Sequence, residues 1–206
     1  MRRRTDVERR RPASRADDPI DRFRRWFASA ARARAPLPEP VVVATADARG
    51  RPSSRYVLVR AIDGRGIVFS TDGRSRKGSD LRVNPQASLV WYWYERARQV
   101  RIEGRVEQIS AAESDAYWKA ERRRNQLLVT ASRQSAPIAS RERLVARVAK
   151  ARGRFAGRAI PRPRDWVGFR VVPERVEFWR HGERDVNERT LFERTAGGWR
   201  RRLLQP

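Results

Sequence analysis

Cysteine is absent from this chain of 206 residues, histidine occurs once (His181), and lysine occurs only at Lys77, Lys119 and Lys150. Without cysteine there is no disulfide framework, thiol nucleophile or thiolate metal site. One histidine argues against a structural zinc centre and against a Ser-His-Asp triad, and no metal site is expected. Long apolar runs are missing as well, since no stretch approaches the roughly 20 residues that a membrane helix needs. The opening stretch MRRRTDVERRRPASRADD is basic but has no apolar segment of the secretory-signal kind. These absences predict a cytoplasmic protein with no membrane segment.

Arginine is what the chain has in excess. Lys and Arg total 48 against 24 Asp and Glu, a formal charge of +24. Such a balance favours polyanions, with nucleic acid the obvious partner. The same excess, together with Ala, Gly and Pro, is what a GC-rich genome writes at tolerant surface positions, so a solvated basic surface is the competing reading. Against an RNA-reading sheet stands WYWY (91–94), whose alternation sends only half its rings to each face.

The pattern along the chain predicts an Arg-rich, mobile tail over 1–17 and one domain over 18–206. A helix begins at Asp18, a plausible N-cap with Pro19 at the first helical position, and places Ile20, Phe23, Phe27 and Ala30 on one packing face. Strands follow at 41–46, 53–62, 67–71, 87–94 and 99–109, with Gly104 marking a bulge or close approach. Two helices interrupt them, one opened by the capping box SAAE (110–113), the other over 140–155 with Leu144, Val145 and Val148 on one side. WVGFRVVP, RVEFWR, TLFERT and GWRRRLL close the chain as strands. Many short strands with few helices between them predict an α+β, mostly β fold built on an antiparallel barrel.

Two stretches carry chemistry. Arg55 starts a strand, and STDGRSRKG (70–78) puts hydroxyls and cations at a strand-to-helix turn. Such a set can cradle a phosphate, or be a solvated basic turn; the P-loop spacing is absent. RHGERDVNER (180–189) holds the one histidine and is either a surface turn or part of a ligand site.

In order, RYVLVR (55–60), FSTDGRSRKG (69–78), RQVRIEG (98–104), SRQS (132–135), VEFW (176–179) and the closing NER with GWRRRLLQP make the chain resemble the pyridoxamine 5'-phosphate oxidase family of FMN-binding split barrels, from about Asp18 to Pro206. The resemblance implies a homodimer with FMN at the subunit interface. It assigns the FMN phosphate to Arg55, Arg76 and Lys77, and flavin or ribityl contacts to Ser70 and Thr71. Tyr56, Val57, Leu58 and Arg60 would line the cofactor on the same strand. Gln99, Gln134 and Ser135 would reach the flavin from the partner subunit, and Trp179 and Arg189 would complete the pocket.

On the substrate side the chain departs from the vitamin B6 oxidase. The positions that hold the substrate's phosphate there by Lys, Tyr, Arg and Ser are here Arg60, Tyr117, Glu121 and Asn125. The family's ring-holding R-L-H-D-R reads DVNER, with Asp185 and Asn187 in place of Arg and His. A carboxylate at Glu121 opposes phosphate binding. The competing reading for Glu121 is a helix-surface pair with Arg124, and for Asp185 an exposed pair with Arg184 or Arg189. Asp185 or Glu121 could accept a proton from an amine or enamine. ATADARGRPSSR, FSTDGRSRKG, VEFW and RRLLQP are similar to the family's phenazine-biosynthesis branch. The expected activity is thus an FMN-dependent oxidase acting on a small molecule, a reduced heterocycle or amine of secondary metabolism, with hydride passing to flavin N5 and electrons to dioxygen. Rivals are the vitamin B6 oxidase itself, a deazaflavin reductase on the same barrel, and a basic nucleic-acid-binding module.

Overall fold

The structure is a computed structural model that describes residues 18–32, 40–182, 184 and 186–206. The predicted tail over 1–17 and the candidate Asp185 lie outside the described residues. Five helices and eight strands follow in the order α1 (Pro19–Arg32), β1 (Pro40–Ala46), β2 (Pro52–Asp63), β3 (Gly66–Asp72), α2 (Arg76–Val83), β4 (Gln86–Trp93), β5 (Arg98–Gln108), α3 (Ala111–Ala120), α4 (Arg123–Ala131), α5 (Arg141–Arg154), β6 (Trp166–Arg180), β7 (Glu188–Thr195) and β8 (Gly198–Leu204).

All strand pairs are antiparallel, in the order β3-β2-β1-β4-β5-β6-β7-β8. An additional β3–β6 pairing closes the first six into a barrel. β6 makes this possible. Its first half, Trp166–Val171, pairs with β3, and its second half, Arg175–Arg180, pairs with β7. The sequence reading divided β6 into two strands at Pro173, yet it is continuous. Pro173 faces Gly104 where the β5–β6 register shifts, so its missing N–H falls at a bulge. A Cβ at Gly104 would overlap the Val172 carbonyl oxygen, which is the close approach that only glycine permits.

The alternation in each strand sets the core. Trp91 and Trp93 point inward and are buried, whereas Tyr92 and Tyr94 point out. Asp18 caps α1 through Oδ1, which accepts the Ile20 N–H at 2.7 Å. α1 lays Phe23 against Trp91 with ring centroids 4.7 Å apart. A second core of Trp118, Leu127, Ala151, Phe155, Ile160 and Trp166 lies beneath α3, α4 and α5. Two helices were not delimited by the sequence reading, although it placed STDGRSRKG at a strand-to-helix turn. α2 and α4 have eight and nine residues, too short for periodicity to declare them. The Leu144–Val145–Val148 face of α5 does not form a buried stripe. Of its helix only Ala151 is buried, and Val145 is 54% exposed.

Arg170 is fully buried on β6 and donates to both oxygens of Asp63 at 2.6 Å and to Glu113 at 3.1 Å, tying β2 and α3 to the barrel. Arg170→Met is expected to cost about 2 kcal/mol in urea unfolding, because it takes the shared buried cation from Asp63 and Glu113 and leaves them only the exposed Arg65. Both carboxylates are about one third exposed and re-solvate in part, which keeps the loss below that of a fully buried pair. Among the described residues no helix is long and apolar enough to cross a membrane.

Candidate active site

The β3–α2 turn builds an anion-binding corner. Ser75 caps α2, its Oγ accepting the Gly78 N–H, so the first turn of the helix presents its free N–H groups and positive dipole end. Gly78 has to be glycine, because a Cβ there would overlap Gly73 main chain. Lys77 is buried and donates Nζ–H to Thr71 Oγ1 and Gln134 Oε1, both at 3.0 Å, and weakly to Ser75 Oγ. Burial, and then the Arg55 guanidinium, lower the Lys77 ammonium to about 8, against a pull upward from Asp72. Arg55 donates to Thr45 Oγ1 and Ser53 Oγ at the end of the barrel, and Thr45 in turn donates to Asp80 at 2.6 Å. Burial lowers Arg55 as well, Asp80 opposes this, and the charge of Arg76 adds to it. Arg55 therefore sits close enough to repel both Arg76 and Lys77, and among the described residues no carboxylate forms an ion pair with Lys77. Thr45 and Asp80 belong to this corner and escaped the sequence reading, and Ser75 lies in the STDGRSRKG stretch without having been given a role of its own. The N-cap spacing from Ser75 to Gly78 was the one signal for any of them.

Gln134 corrects an expectation. The resemblance put it on the partner's side of the site, whereas within this chain it bonds Thr71 and Lys77 of the anion corner. The turn after α4 carries it there, and Ser135 follows in the left-handed region at φ 68°. Burial pushes the Asp72 carboxyl up, but hydrogen bonds from Arg74 and from the Gln134 main chain outweigh this and keep it below its usual value. Asp72 thereby ties the Gln134 turn to the end of β3.

Beside this corner lies a cavity of about 200 Å³, bounded by Arg60, Ser70, Thr71, Asp72, Glu121 and Gln134, with Asn125, Leu128, Val129 and Trp166 among its other walls. The cofactor candidates Ser70, Thr71 and Gln134 and the substrate candidates Arg60, Glu121 and Asn125 thus share one space. Arg60 sits where the β2–β3 register shifts, a bulge that re-aims its side chain toward the α3–α4 corner. There it pairs with Glu121, whose side chain is 5% exposed. The other Glu121 oxygen accepts the Arg122 N–H at 2.9 Å and the Asn125 amide at 3.0 Å. Glu121 is thus not the surface partner of Arg124. With both oxygens engaged, it is also poorly placed for the proton-accepting role expected of it. Two buried polar atoms of this cavity's residues have no partner, Ser70 Oγ and Arg60 Nε.

Not every candidate joins this group. Tyr56 and Leu58 point out from β2, Val57 packs on the main core, and Tyr117 packs on the second core. Gln99, Trp179 and Arg189 form a separate row across β5, β6 and β7, with Tyr92 on β4 beside them. Tyr92 and Trp179 have ring centroids 6.5 Å apart, and Glu177 holds Arg189 through two 2.8 Å contacts. Glu177, a residue of VEFW to which the sequence reading gave no role, lies two residues before Trp179 on the same face of β6. RHGERDVNER is the β6–β7 connection. Its ends, Arg180 and Glu188, face each other in the register and form a two-point ion pair at 2.6 and 2.8 Å. His181 is exposed, and Asn187 is half-buried. No described residue of this stretch lines the cavity of its own chain.

An anion corner with three cations, a helix N-terminus and an unpartnered buried hydroxyl fits a phosphate-bearing cofactor. Comparison with known proteins agrees. Residues 27–155 match the family described as pyridoxamine 5'-phosphate oxidase, and residues 166–206 match the pyridoxine 5'-phosphate oxidase C-terminal dimerisation region. A pyridoxine/pyridoxamine 5'-phosphate oxidase of Myxococcus xanthus is 48% identical over 189 residues, covering 92% of each chain. One from Rubrobacter xylanophilus is also 48% identical, over 92% of this chain and 87% of its own. Among solved structures, PhzG from Burkholderia lata in complex with tetrahydrophenazine-1-carboxylic acid has a TM-score of 0.88 at 35% identity, over 92% of this chain and 93% of that one.

Proposed function

The chain belongs to the pyridoxamine 5'-phosphate oxidase family of FMN-dependent oxidases, and from that premise we propose that it dehydrogenates a reduced heterocycle or amine carrying no phosphate group. The observation that carries this reading is the Arg60–Glu121 pair. Among the described residues the one cation lining the cavity beyond the cofactor corner, Arg60, already has a buried counterion, so a phosphate dianion would meet no net positive charge there.

Arg55, Arg76, Lys77 and the first turn of α2 would hold the FMN phosphate, with Ser70 and Thr71 at the ribityl or flavin. Bound FMN supplies a two-electron acceptor that takes hydride at N5 and passes the electrons to dioxygen, which leaves as hydrogen peroxide. Leu128, Val129 and Trp166 would exclude water from the substrate's ring. Gln99, Trp179 and Arg189 would come from a second copy of the chain, because they stand apart from the corner and the C-terminal region matches a dimerisation region. The resemblance of the whole chain to PhzG, solved with a reduced tricyclic ligand, supports a heterocyclic substrate. Steady-state peroxide release is expected with a reduced tricyclic heterocycle and not with pyridoxine 5'-phosphate. Comparable kcat/KM for the phosphate ester would overturn the proposal and favour the second reading, the vitamin B6 oxidase, which the names of the curated relatives support.

A further inference from the structure

We propose that Glu121 sets which substrates the cavity accepts: its carboxylate is a built-in counterion that reserves the space beside Arg60 for an uncharged hydrogen-bond acceptor, such as a ring carbonyl or imine nitrogen. The inference rests on the oxidase reading above and deepens it to a substrate class.

Four observations combine. Arg60 Nη2 is committed to Glu121 Oε2, so the strongest two-point face of the guanidinium is not free for a ligand. Glu121 Oε1 is held by the Arg122 N–H and by Asn125, which fixes the carboxylate in place and makes Asn125 a positioning residue. Arg60 Nε and Ser70 Oγ are buried without partners, and their residues border the same cavity. The charged residues bordering that cavity are Arg60, Glu121 and Asp72, and each already has its counterion, Asp72 in Arg74.

An oxyanion entering this space loses its water and finds its cation already neutralised. A neutral acceptor needs no counter-charge. It would satisfy a donor that otherwise stays buried and unpaired. The apolar surfaces of Leu128, Val129 and Trp166 suit the ring that carries the acceptor.

The test uses the FMN-loaded, full-length protein and calorimetric titration with two probes, inorganic phosphate and the neutral lactam quinolin-2-one. The wild type is expected to bind the lactam and to show no saturable binding of phosphate. Glu121→Gln keeps the side chain's size and removes its charge, and it should gain phosphate affinity at least tenfold. The double variant Arg60→Gln/Glu121→Gln should lose that gain. Asn125→Ala, which adds space but keeps the carboxylate, should not acquire it. Phosphate binding to the wild type as tight as to Glu121→Gln would overturn the inference, as would an equal gain in Asn125→Ala. A Glu121→Gln protein that retains FMN and its Tm but gains nothing would do the same. These outcomes concern equilibrium anion binding. Failure of the oxidase reading would show separately, as no peroxide release by the wild type from a reduced tricyclic heterocycle while the anion titrations still follow the pattern above.

Discussion

Lys77→Met is expected to weaken FMN binding roughly 100-fold, about 3 kcal/mol, while leaving the apoprotein as stable as before or more so. The two effects diverge for one reason. Without a bound anion, Lys77 is a buried ammonium facing neutral oxygens and the charge of Arg55, and its affinity for a proton falls from the ordinary 10.5 to about 8. Methionine removes that burdened charge and keeps the length of the stem. An FMN phosphate, by contrast, would be the partner the ammonium lacks. Flavin fluorescence titration and thermal unfolding of the apoprotein measure the two quantities independently.

The same lysine fixes a pH dependence. Between about 8 and 10.5 the folded apoprotein holds fewer protons at this site than the unfolded chain. Its stability therefore rises with pH across that window, and the cost of burying the charge is present in full below it. FMN binding follows the opposite sign. The phosphate selects the protonated lysine, so affinity should be level below about pH 8 and fall by up to about tenfold per unit above it. The Lys77→Met protein should lack this slope.

Mixing two defective proteins should restore function. Lys77→Met damages the anion corner and Arg189→Met damages the β5–β6–β7 row, and each alone should lose FMN-dependent activity. If one complete site takes its corner from one protomer and its row from the other, a mixed dimer has one intact site and one doubly damaged site. Random reassortment then recovers about a quarter of wild-type activity, as two-fold symmetry requires. A site confined to one protomer would recover nothing above the sum of the two variants. Arg189→Met is a fair probe because Glu177 keeps a second cation, Arg101, at 3.2 Å.

How far all this was legible in the sequence differs by element. Strands announced themselves through alternation, as in WYWY, and the bulge at Gly104 through a glycine that a strand has no other reason to hold. Capping chemistry located Asp18 and Ser110 correctly. α2 and α4 were hidden because each is barely two turns long and buries part of one face against the barrel or its neighbour. β6 read as two strands because Pro173 breaks a local pattern, whereas continuity is decided by what faces it across the sheet. For the site, the motif residues were visible and their grouping was not. Which of them share a chain depends on the turn that returns Gln134 to Lys77 and on the strand register that isolates Gln99, Trp179 and Arg189. Glu121 was noticed as a misplaced charge. Its pairing with Arg60 needed the β2 bulge and the α3–α4 corner, which no spacing rule contains.

One anaerobic mixing experiment bears most directly on the central claim, that a working FMN site has been joined to a cavity unsuited to phosphate. The FMN-loaded protein would be mixed with excess pyridoxine 5'-phosphate and, separately, with a reduced tricyclic heterocycle, while the visible absorbance of the oxidised flavin is followed. The account predicts bleaching by the heterocycle and none by the phosphate ester, with the flavin still reducible by dithionite. Rapid bleaching by pyridoxine 5'-phosphate would contradict it, because it would show that the Arg60–Glu121 pair opens to admit the anion.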